Sequence, residues 1–408
     1  MSVSKLNVFA PTSSGHHLAG RISWENRKGS FCYAKEWLER EDGYALDPRN
    51  LPLESTPFVT TVNGGIHGVF SDAGPDAWGK RLFELEFGRK PVSGLELLLE
   101  SNGGGSGSLL FSEASEPSVE MAGYAPISEL AKLELAAFMI GAKLPVERDL
   151  QERLFIAARS IGGARPKANI FMDGATWIAK FSSPNDLIDM PRQELACLEL
   201  ARHAGIDVPD HKIVEVNGRS ALLVRRFDTA DTGPVHYLSL NALLSLERIS
   251  SSDLVAPDGL CTYGGLAELC KLLGAQKAGR TLFQRMAFNI LIGNTDDHLR
   301  NHGLLLGPDG WHLSAAFDLT SVGGDNQAIG VGNDGRSSTI DNAFSDFARF
   351  GLLLEEAHSI FESTALALQD ASDFLSRAGL PPSHIEGSLA LMNSALASFD
   401  RNLRSNSR

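Results

Sequence analysis

The feature that most constrains the fold is an apolar helix that runs directly into a polar loop. Residues 282–292 carry apolar side chains at helical spacing, which predicts a buried α-helix. Gly293 and Asn294 are typical of a helix end and the start of a loop. Residues 295–301 read Thr-Asp-Asp-His-Leu-Arg-Asn, so the loop leaves the core with two carboxylates, a histidine and an amide.

Two short strands are predicted after this acidic loop. Gly303 lets the chain turn into a buried strand at 304–306. Pro308-Asp309-Gly310 predicts a turn, and a second strand at 311–313 then leads back toward Asp318. The predicted layout is therefore helix, acidic loop, strand, turn, strand and a final aspartate.

This layout suits a phosphoryl-transfer site. Such a site needs one carboxylate to accept the proton of an incoming hydroxyl, and an Asn and a second Asp to hold the magnesium that bridges the nucleotide phosphates. Asp296 and Asn301 are five residues apart, as in a kinase catalytic loop, and Asp318 follows seventeen residues after Asn301. A solvated turn rich in Asp and Asn is the alternative, and the loop alone does not separate the two interpretations.

Composition limits the class of protein and its partners. The 408 residues are enough for two or three domains, and 43% hydrophobic content is typical of a globular protein. A net charge of -13 disfavours binding of nucleic acid over a broad surface. The four widely spaced cysteines form neither a metal-ligand pair nor a disulfide framework, which favours a reducing cytoplasm. No segment approaches the roughly 20 apolar residues of a membrane helix, and the start lacks a secretory signal pattern.

The first part of the chain reads as short strands followed by helices. Strands are predicted at the three segments 6–10, 18–24 and 30–33. A helix near 75–82 carries Trp78, and a helix is expected over 127–144. The glycine-rich stretch 101–108 lacks the Gly-Lys-Ser/Thr ending of a P-loop, so we predict a plain loop that feeds a strand at 109–111. We expect a linker over 113–126.

A hairpin and a helix follow. Asp173-Gly174 predicts a tight hairpin between strands at 168–172 and 176–181. The next helix begins near Pro191 and ends before Gly205. Further strands are predicted at 212–216 and 221–224, and helical patterns dominate from Leu238 onward.

Taken together, these parts follow the order of a protein kinase-like fold. Backbone amides at Gly162 and Gly163 would cover the phosphates, and Lys180 would contact the α- and β-phosphates with Glu194 as its partner. The segment Arg225-Arg226-Phe227 would be the hinge that carries the adenine. Singly, a strand lysine or helix glutamate is usually solvated and a glycine pair is usually a turn. Their joint order relative to the acidic loop favours the kinase interpretation.

Six motifs in this order resemble the HipA family of bacterial toxin serine/threonine kinases. They are Gly-Pro-Asp-Ala-Trp-Gly-Lys-Arg (74–81), Ser-Ile-Gly-Gly-Ala-Arg-Pro-Lys (160–167), Ile-Ala-Lys-Phe (178–181), Arg-Arg-Phe-Asp (225–228), Asn-Thr-Asp-Asp-His-Leu-Arg-Asn (294–301) and Ala-Phe-Asp-Leu (316–319). Each motif is weak alone, but the set spans most of the chain. The resemblance implies an α+β fold with a β-rich N-terminal domain, residues 1–148, and a two-lobed kinase-like domain, residues 149–408. The smaller lobe would be 149–230 and the mainly helical lobe 231–408.

The resemblance also implies roles and cofactors. Asp296 becomes the catalytic base, Asn301 and Asp318 become magnesium ligands, and Lys180 binds phosphate, so ATP and Mg²⁺ are the expected cofactors. The 162–167 turn becomes the nucleotide loop. His298 would contact the nucleotide or brace the loop, while Asp297 shapes the turn.

Ser160 is implied as the autophosphorylation site. An added phosphate would expel the neighbouring turn and switch the enzyme off. Hydrogen bonding within the turn is the simpler alternative role for this serine.

The resemblance implies partners as well. The expected partner is a helix-turn-helix antitoxin of the HipB type, so that DNA would be contacted only through the antitoxin. The substrate would be a protein, and family members can phosphorylate an aminoacyl-tRNA synthetase. Two alternatives stay open: a catalytically silent scaffold or co-repressor that binds an antitoxin, and a kinase of a small molecule or lipid. The retained lysine and acidic loop favour an active kinase, and the motifs in the first part of the chain weigh against a small-molecule kinase.

Overall fold

The chain forms two compact units. The computed structural model describes residues 3–101, 104–116, 123–230, 233–244 and 259–406. The first unit takes residues 1–186, 211–248 and 304–307, and the second takes 187–210, 249–303 and 308–408. Both helices and sheets are present, which confirms the α+β class. The domain boundary expected after residue 148 lies within the first unit and stays a prediction.

The described strands share short lengths and mostly antiparallel neighbours. In chain order they are β1 (Lys5–Thr12), β2 (Gly15–Glu25), β3 (Lys28–Tyr33), β4 (Phe58–Thr60), β5 (Leu110–Ser112), β6 (Ala125–Pro126), β7 (Lys167–Met172), β8 (Ala175–Phe181), β9 (His211–Val216), β10 (Arg219–Arg225), β11 (Thr229–Ala230), β12 (Gly233–Pro234), β13 (Tyr237–Ser239), β14 (Gly303–Gly307) and β15 (Gly310–Leu313).

The described α-helices range in length from 4 residues in the first to 25 residues in the last. In chain order they are α1 (Lys35–Leu38), α2 (Gly68–Ala73), α3 (Ala77–Phe87), α4 (Gly94–Ser101), α5 (Leu130–Gly141), α6 (Arg148–Ala158), α7 (Met190–His203), α8 (Leu240–Leu244), α9 (Tyr263–Leu272), α10 (Ala278–Ile292), α11 (Ile340–Phe344), α12 (Leu354–Ala367), α13 (Ala371–Arg377) and α14 (Pro382–Asn406). None of the described helices combines the length and apolarity that crossing a bilayer requires.

The first sheet has the strand order β4-β3-β2-β1-β5. Strand β1 lies between β2 and β5, and its residues from Leu6 to Pro11 are buried. Asn26 and Arg27 take positive φ angles of 50° and 63° between β2 and β3, which suits a two-residue turn in a twisted hairpin. The three strands predicted for this region, and the strand expected after the glycine-rich stretch, are confirmed. Asn102 and Gly103 of that stretch lie outside the described residues.

The second sheet has the strand order β6-β7-β8-β10-β9. The predicted Asp173-Gly174 turn joins β7 to β8 with φ angles of 52° and 75°, which is the left-handed pair that a tight hairpin needs. The linker expected over 113–126 is wrong at its end, because Ala125 and Pro126 pair in parallel with β7. Residues 117–122 of that stretch lie outside the described part of the chain.

One apolar core joins helices from both sides of residue 148 to the second sheet. Its buried members include Trp78 on α3, Leu133 on α5 and Phe155 on α6, together with Ala168 and Phe181 of the sheet. Since burial of apolar surface is the main source of stability, these elements form one body within the first unit.

An ion pair between a half-buried arginine and a fully buried carboxylate joins α5 to the β9–β10 hairpin in this unit. Glu134 is fully buried, and its carboxylate accepts hydrogen bonds from the Arg219 guanidinium at Nε (2.5 Å) and Nη2 (2.8 Å). Asn217 adds a bond of 2.8 Å from its amide. The Arg219 guanidinium also lies 3.9 Å from the centre of the Phe138 ring. A buried carboxylate is tolerated here because two cation donors and an amide satisfy it.

In the second unit α10 is the central helix, and it packs against α9, α12 and α14. Nearly all of its residues are buried, which confirms the predicted buried helix over 282–292. A side chain at Gly279 would place its Cβ 2.3 Å from the Phe350 carbonyl, so this close approach requires glycine. Gly293 ends the helix in the left-handed conformation at φ 70°, as expected.

We predict that Glu134→Ala destabilises the protein by about 1–3 kcal/mol, because the half-buried Arg219 loses its charge-assisted hydrogen bonds. Glu129→Ala is the matched control, since Glu129 pairs with the more exposed Lys132 and Arg153 and its loss should cost less than about 1 kcal/mol. Urea unfolding followed by circular dichroism measures both. Equal losses in free energy of unfolding would contradict the role of the Glu134–Arg219 pair.

Candidate active site

The acidic loop begins with a buried amide and then presents two carboxylates to different environments. The Asn294 backbone N–H donates to the Asn289 carbonyl (2.8 Å), and its side-chain amide donates to Asn289 Oδ1 (3.0 Å). Asp296 is exposed, whereas Asp297 is 2% exposed. The loop therefore offers Asp296 to the outside and points Asp297 into the protein.

The Asp297 carboxylate is the centre of a buried hydrogen-bonded cluster. Its Oδ2 accepts bonds from the Tyr263 hydroxyl on α9, the Asn289 amide on α10 (2.8 Å) and His302 Nε2 (2.9 Å). All three donor residues are buried. Three donors on one oxygen compensate the cost of removing the charge from water.

Electrostatics set the protonation states of Asp297 and Tyr263 within this cluster. Burial alone would raise the pKa of Asp297, but the neighbouring His302 and the Tyr263 hydrogen bond lower it below its usual value. Burial and the Asp297 charge raise the pKa of Tyr263 well above its usual value. At neutral pH Asp297 is therefore a carboxylate and Tyr263 keeps its proton to donate.

The segment that carries Asp318 is tied to the acidic loop at both ends. Before Asp318, the Ser314 N–H donates to the Gly303 carbonyl (2.8 Å). After it, the Ser321 hydroxyl donates to the Ile292 carbonyl (2.7 Å) at the end of α10. A third tie joins Thr295 of the acidic loop to the Gly323 carbonyl (2.8 Å).

Asp318 itself adopts a left-handed backbone with φ 60°. A non-glycine residue in this region carries a small strain that the surrounding structure must hold. Asp318 is half-buried, while Asn301 is buried within a short 3-10 turn over Leu299–Asn301. The second unit thus brings Asp296, Asn301 and Asp318 into one connected loop system.

The donor set of this loop system fits magnesium. An Asn amide oxygen and an Asp carboxylate are the hard oxygen ligands that Mg²⁺ prefers. Among the described residues, no group of three or more His, Cys, Asp or Glu side chains converges on one point. Mg²⁺ in phosphoryl-transfer sites is commonly held by one or two carboxylates together with substrate phosphates and water.

The glycine turn lies in the first unit and is held by α3. Gly162 is exposed, and Gly163 takes φ 98°. The Trp78 backbone N–H donates to the Gly163 carbonyl (3.1 Å), and its indole donates to the Lys167 carbonyl (3.1 Å). The 74–81 motif therefore positions the 160–167 turn.

Two lysines lie beside this turn on neighbouring strands. Lys180 of β8 is directly opposite Lys167 of β7 in the register, so their side chains share one face of the sheet. A Cβ at Gly163 would lie 2.4 Å from Lys167 Nζ, which places that ammonium against the turn. A glycine turn with adjacent cations is an arrangement that attracts phosphate.

Ser160 is fully buried at the start of this turn. The Asn169 amide donates to its Oγ (3.3 Å) and to the Gly104 carbonyl (3.2 Å). A Cβ on Gly104 would lie 2.4 Å from the Ser160 hydroxyl, so the serine has no room for an added group in this conformation.

Arg226 belongs to the same buried network. Its guanidinium forms a two-point ion pair with Asp228 (2.9 and 2.7 Å) and donates to the carbonyls of Gly104 (2.7 Å) and Gly105 (2.8 Å). Burial opposes its charge, but Asp228 outweighs that effect and raises the pKa of the guanidinium. Arg225 and Phe227, on either side, are both half-buried.

The remaining expected residues are placed as follows. Glu194 is buried on α7 in the second unit, while Lys180 is in the first, and their pairing stays a prediction. The neighbouring Gln193 donates from Nε2 to the Ser321 carbonyl (2.6 Å), which ties α7 to the segment after Asp318. His298 is half-buried in the acidic loop.

Sequence reasoning missed several residues that support these sites, namely Asn169, Asp228, Tyr263, Asn289 and His302. Polar residues within apolar runs were an available signal, since Asn289 interrupts the buried face of α10. Asp228 ends the Arg-Arg-Phe-Asp motif, whose acidic member was left without a role.

We predict that Asp228→Ala destabilises the first unit by about 3–5 kcal/mol, because the buried Arg226 would lose its counter-charge. Asp186→Ala is the control, as it removes the partner of the more exposed Arg165. Thermal unfolding of both variants measures the difference. A loss no larger than that of the control would show that the pair is dispensable.

Two protein-family models match the chain, one in its first part and one in its second. Residues 11–112 match the model of the HipA N-terminal domain, and residues 159–372, more than half of the chain, match that of the HipA-like C-terminal domain.

Among curated proteins, the chain is 26% identical over 343 residues to "Putative kinase Y4mE" of Sinorhizobium fredii, which covers 79% of this chain and 78% of that protein. It is 30% identical over 166 residues to Y4dM of the same organism, with 36% and 38% covered. The serine/threonine-protein kinase toxin HipA of Shewanella oneidensis is 26% identical over 191 residues, 40% of this chain and 43% of that protein. The chain thus spans well under two thirds of the length of two of these three relatives.

Among solved structures, the HipA, HipB and operator DNA complex of Shewanella oneidensis MR-1 matches with a TM-score of 0.68 at 18% identity. The match covers 97% of both chains. At this identity the likeness establishes the fold.

Proposed function

Because the chain belongs to the HipA family of kinase toxins, we propose that it is an ATP- and Mg²⁺-dependent serine/threonine protein kinase and the toxin of a toxin–antitoxin pair. The observation that carries the proposal is the different exposure of the two adjacent aspartates in the acidic loop. Asp296 is exposed to an incoming hydroxyl, while the adjacent Asp297 is fixed inside the protein.

In the proposed reaction Asp296 accepts the proton of a serine or threonine hydroxyl as its oxygen attacks the γ-phosphorus. The bond between that phosphorus and the oxygen of the departing ADP breaks in the same transfer. Asn301 and Asp318 would hold Mg²⁺, which when bound neutralises charge on the phosphates. Lys180 and the amides of the Gly162–Gly163 turn would orient the nucleotide.

The other assignments complete the nucleotide site. We assign the adenine to the segment Arg225–Phe227, with the Arg226 guanidinium committed to its ion pair with Asp228. His298 would contact the nucleotide from the acidic loop, and Glu194 would orient Lys180. We retain 1–148 as the N-terminal domain and 149–408 as the kinase-like domain, with lobes that divide near residue 230.

We further propose a helix-turn-helix antitoxin of the HipB type as the partner. Support comes from the structural match to a HipA bound to HipB and operator DNA. The net charge of -13 favours DNA contact through the antitoxin rather than through this chain. The substrate would be a cytoplasmic protein, with an aminoacyl-tRNA synthetase as the first to test. The four free cysteines suit that reducing compartment.

We predict that Asp296→Asn lowers phosphoryl transfer by at least about 100-fold, because the amide cannot accept the hydroxyl proton. Transfer of label from γ-labelled ATP to casein measures activity, and growth after expression without the antitoxin measures toxicity. Asp309→Asn, an exposed carboxylate in the β14–β15 turn, is the matched control and should behave as wild type. Equal toxicity of Asp296→Asn and wild type would instead favour a silent, antitoxin-binding scaffold.

We predict that incubation with ATP and Mg²⁺ adds one phosphate to the wild type and none to Ser160→Ala, as measured by intact mass. Because Ser160 is fully buried, its phosphorylation must displace the 160–167 turn. Trypsin should therefore cleave after Lys167, at the end of this turn, faster in the phosphorylated protein than in Ser160→Ala treated identically. A phosphate on both proteins would contradict the assignment.

A further inference from the structure

The two ends of a short segment in the acidic loop are joined by a buried hydrogen bond. Asp297 begins the segment and His302 ends it, and His302 Nε2 lies 2.9 Å from Asp297 Oδ2. Asn289 and Tyr263 bind the same oxygen from two separate helices, α10 and α9. These four residues are called the clasp below.

Two residues of the clasp are sequence neighbours of the proposed base and of a proposed magnesium ligand. Asp296 directly precedes Asp297, and Asn301 directly precedes His302. The separation of the proposed base and the proposed magnesium ligand is therefore set by a loop that the clasp closes. Asp296 and Asn301 need not touch any clasp side chain for this to hold.

The burial of the clasp makes this closure rigid. All four side chains are buried, and loss of one donor leaves a buried carboxylate incompletely paired. A loop conformation that separated His302 from Asp297 would carry that cost, so alternative conformations are disfavoured. The second helix, α9, adds an anchor that is distant in sequence from the loop.

We propose that the clasp is a positioning device that fixes the distance between Asp296 and Asn301, and so sets the rate of phosphoryl transfer and the affinity for Mg²⁺. This inference rests on the proposed kinase function. The clasp residues contact no reactant. Their contribution comes from holding the base and the metal ligand in the geometry that the transfer needs.

The test compares Tyr263→Phe and Asp297→Asn in the full-length protein with Thr364→Val. Thr364 is a buried residue of α12 whose hydroxyl donates to the Ile360 carbonyl (2.7 Å), so its loss removes a buried hydroxyl away from the loop. Tyr263→Phe keeps the ring and removes only the clasp hydroxyl, which provides a folded variant if Asp297→Asn fails to fold.

Steady-state transfer from labelled ATP to casein, titrated with ATP and with Mg²⁺, separates the effects. For Asp297→Asn we expect kcat to fall by about 100-fold, as for a misplacement of about 1 Å, with a smaller fall for Tyr263→Phe. The half-saturating Mg²⁺ concentration should rise in both, while the KM for ATP and the Tm stay near those of Thr364→Val.

The outcomes distinguish this inference from the proposed function. A wild type that transfers no label to casein or to itself overturns the kinase proposal. An active wild type whose clasp variants keep its kcat and Mg²⁺ dependence overturns the clasp alone. Equal losses of kcat in the clasp variants and in Thr364→Val would contradict the positioning role, because the clasp would then contribute only to stability.

Discussion

A charge that is taken out of water must be paired, and this requirement organises both candidate regions of the molecule. In the second unit the Asp297 carboxylate is satisfied by three donors from two helices and the loop itself. In the first unit the Arg226 guanidinium is satisfied by Asp228 and by two backbone carbonyls near Gly104. Each buried charge therefore supports a loop for which a function is proposed.

The two loops differ in how firmly the neighbouring buried charge holds them. The acidic loop is held by three hydrogen bonds to the buried Asp297 carboxylate, so one loop conformation is favoured. The glycine turn is held by neutral hydrogen bonds to Asn169 and Trp78. The charged Arg226–Asp228 pair contacts the turn only indirectly, because Arg226 donates to Asn169. Neutral bonds contribute about 1 kcal/mol each, so the turn is the easier of the two to displace. This difference suits the proposed kinase, in which the turn is displaced by phosphorylation and the acidic loop stays fixed.

Much of the fold could be predicted from the sequence because local residue patterns determine many of its turns, strands and helix ends. The hairpin at Asp173-Gly174 and the end of α10 at Gly293 follow from residues that favour positive φ. The parallel pairing of Ala125 with β7 could not be predicted, since two residues in a pattern-poor stretch give no strand signal. The single core that spans residue 148 also depends on contacts distant in sequence.

The candidate site was predicted from residue types and spacing, and its buried support was not. Asp296, Asn301 and Asp318 stand out by type and spacing. The partners of Asp297 come from α9, α10 and the loop's end, and only the folded chain brings them together. Asp318 is held at φ 60° by ties before and after it, which spacing alone does not reveal.

A crystal structure of the full chain with Mg²⁺ and a non-hydrolysable ATP analogue tests the central claim most directly. The account predicts a metal ion bound by Asn301 and Asp318, phosphates against Lys180 and the 162–167 turn, and a γ-phosphate that faces Asp296. A nucleotide bound elsewhere, or a metal ion that leaves both Asn301 and Asp318 without contact, would contradict it.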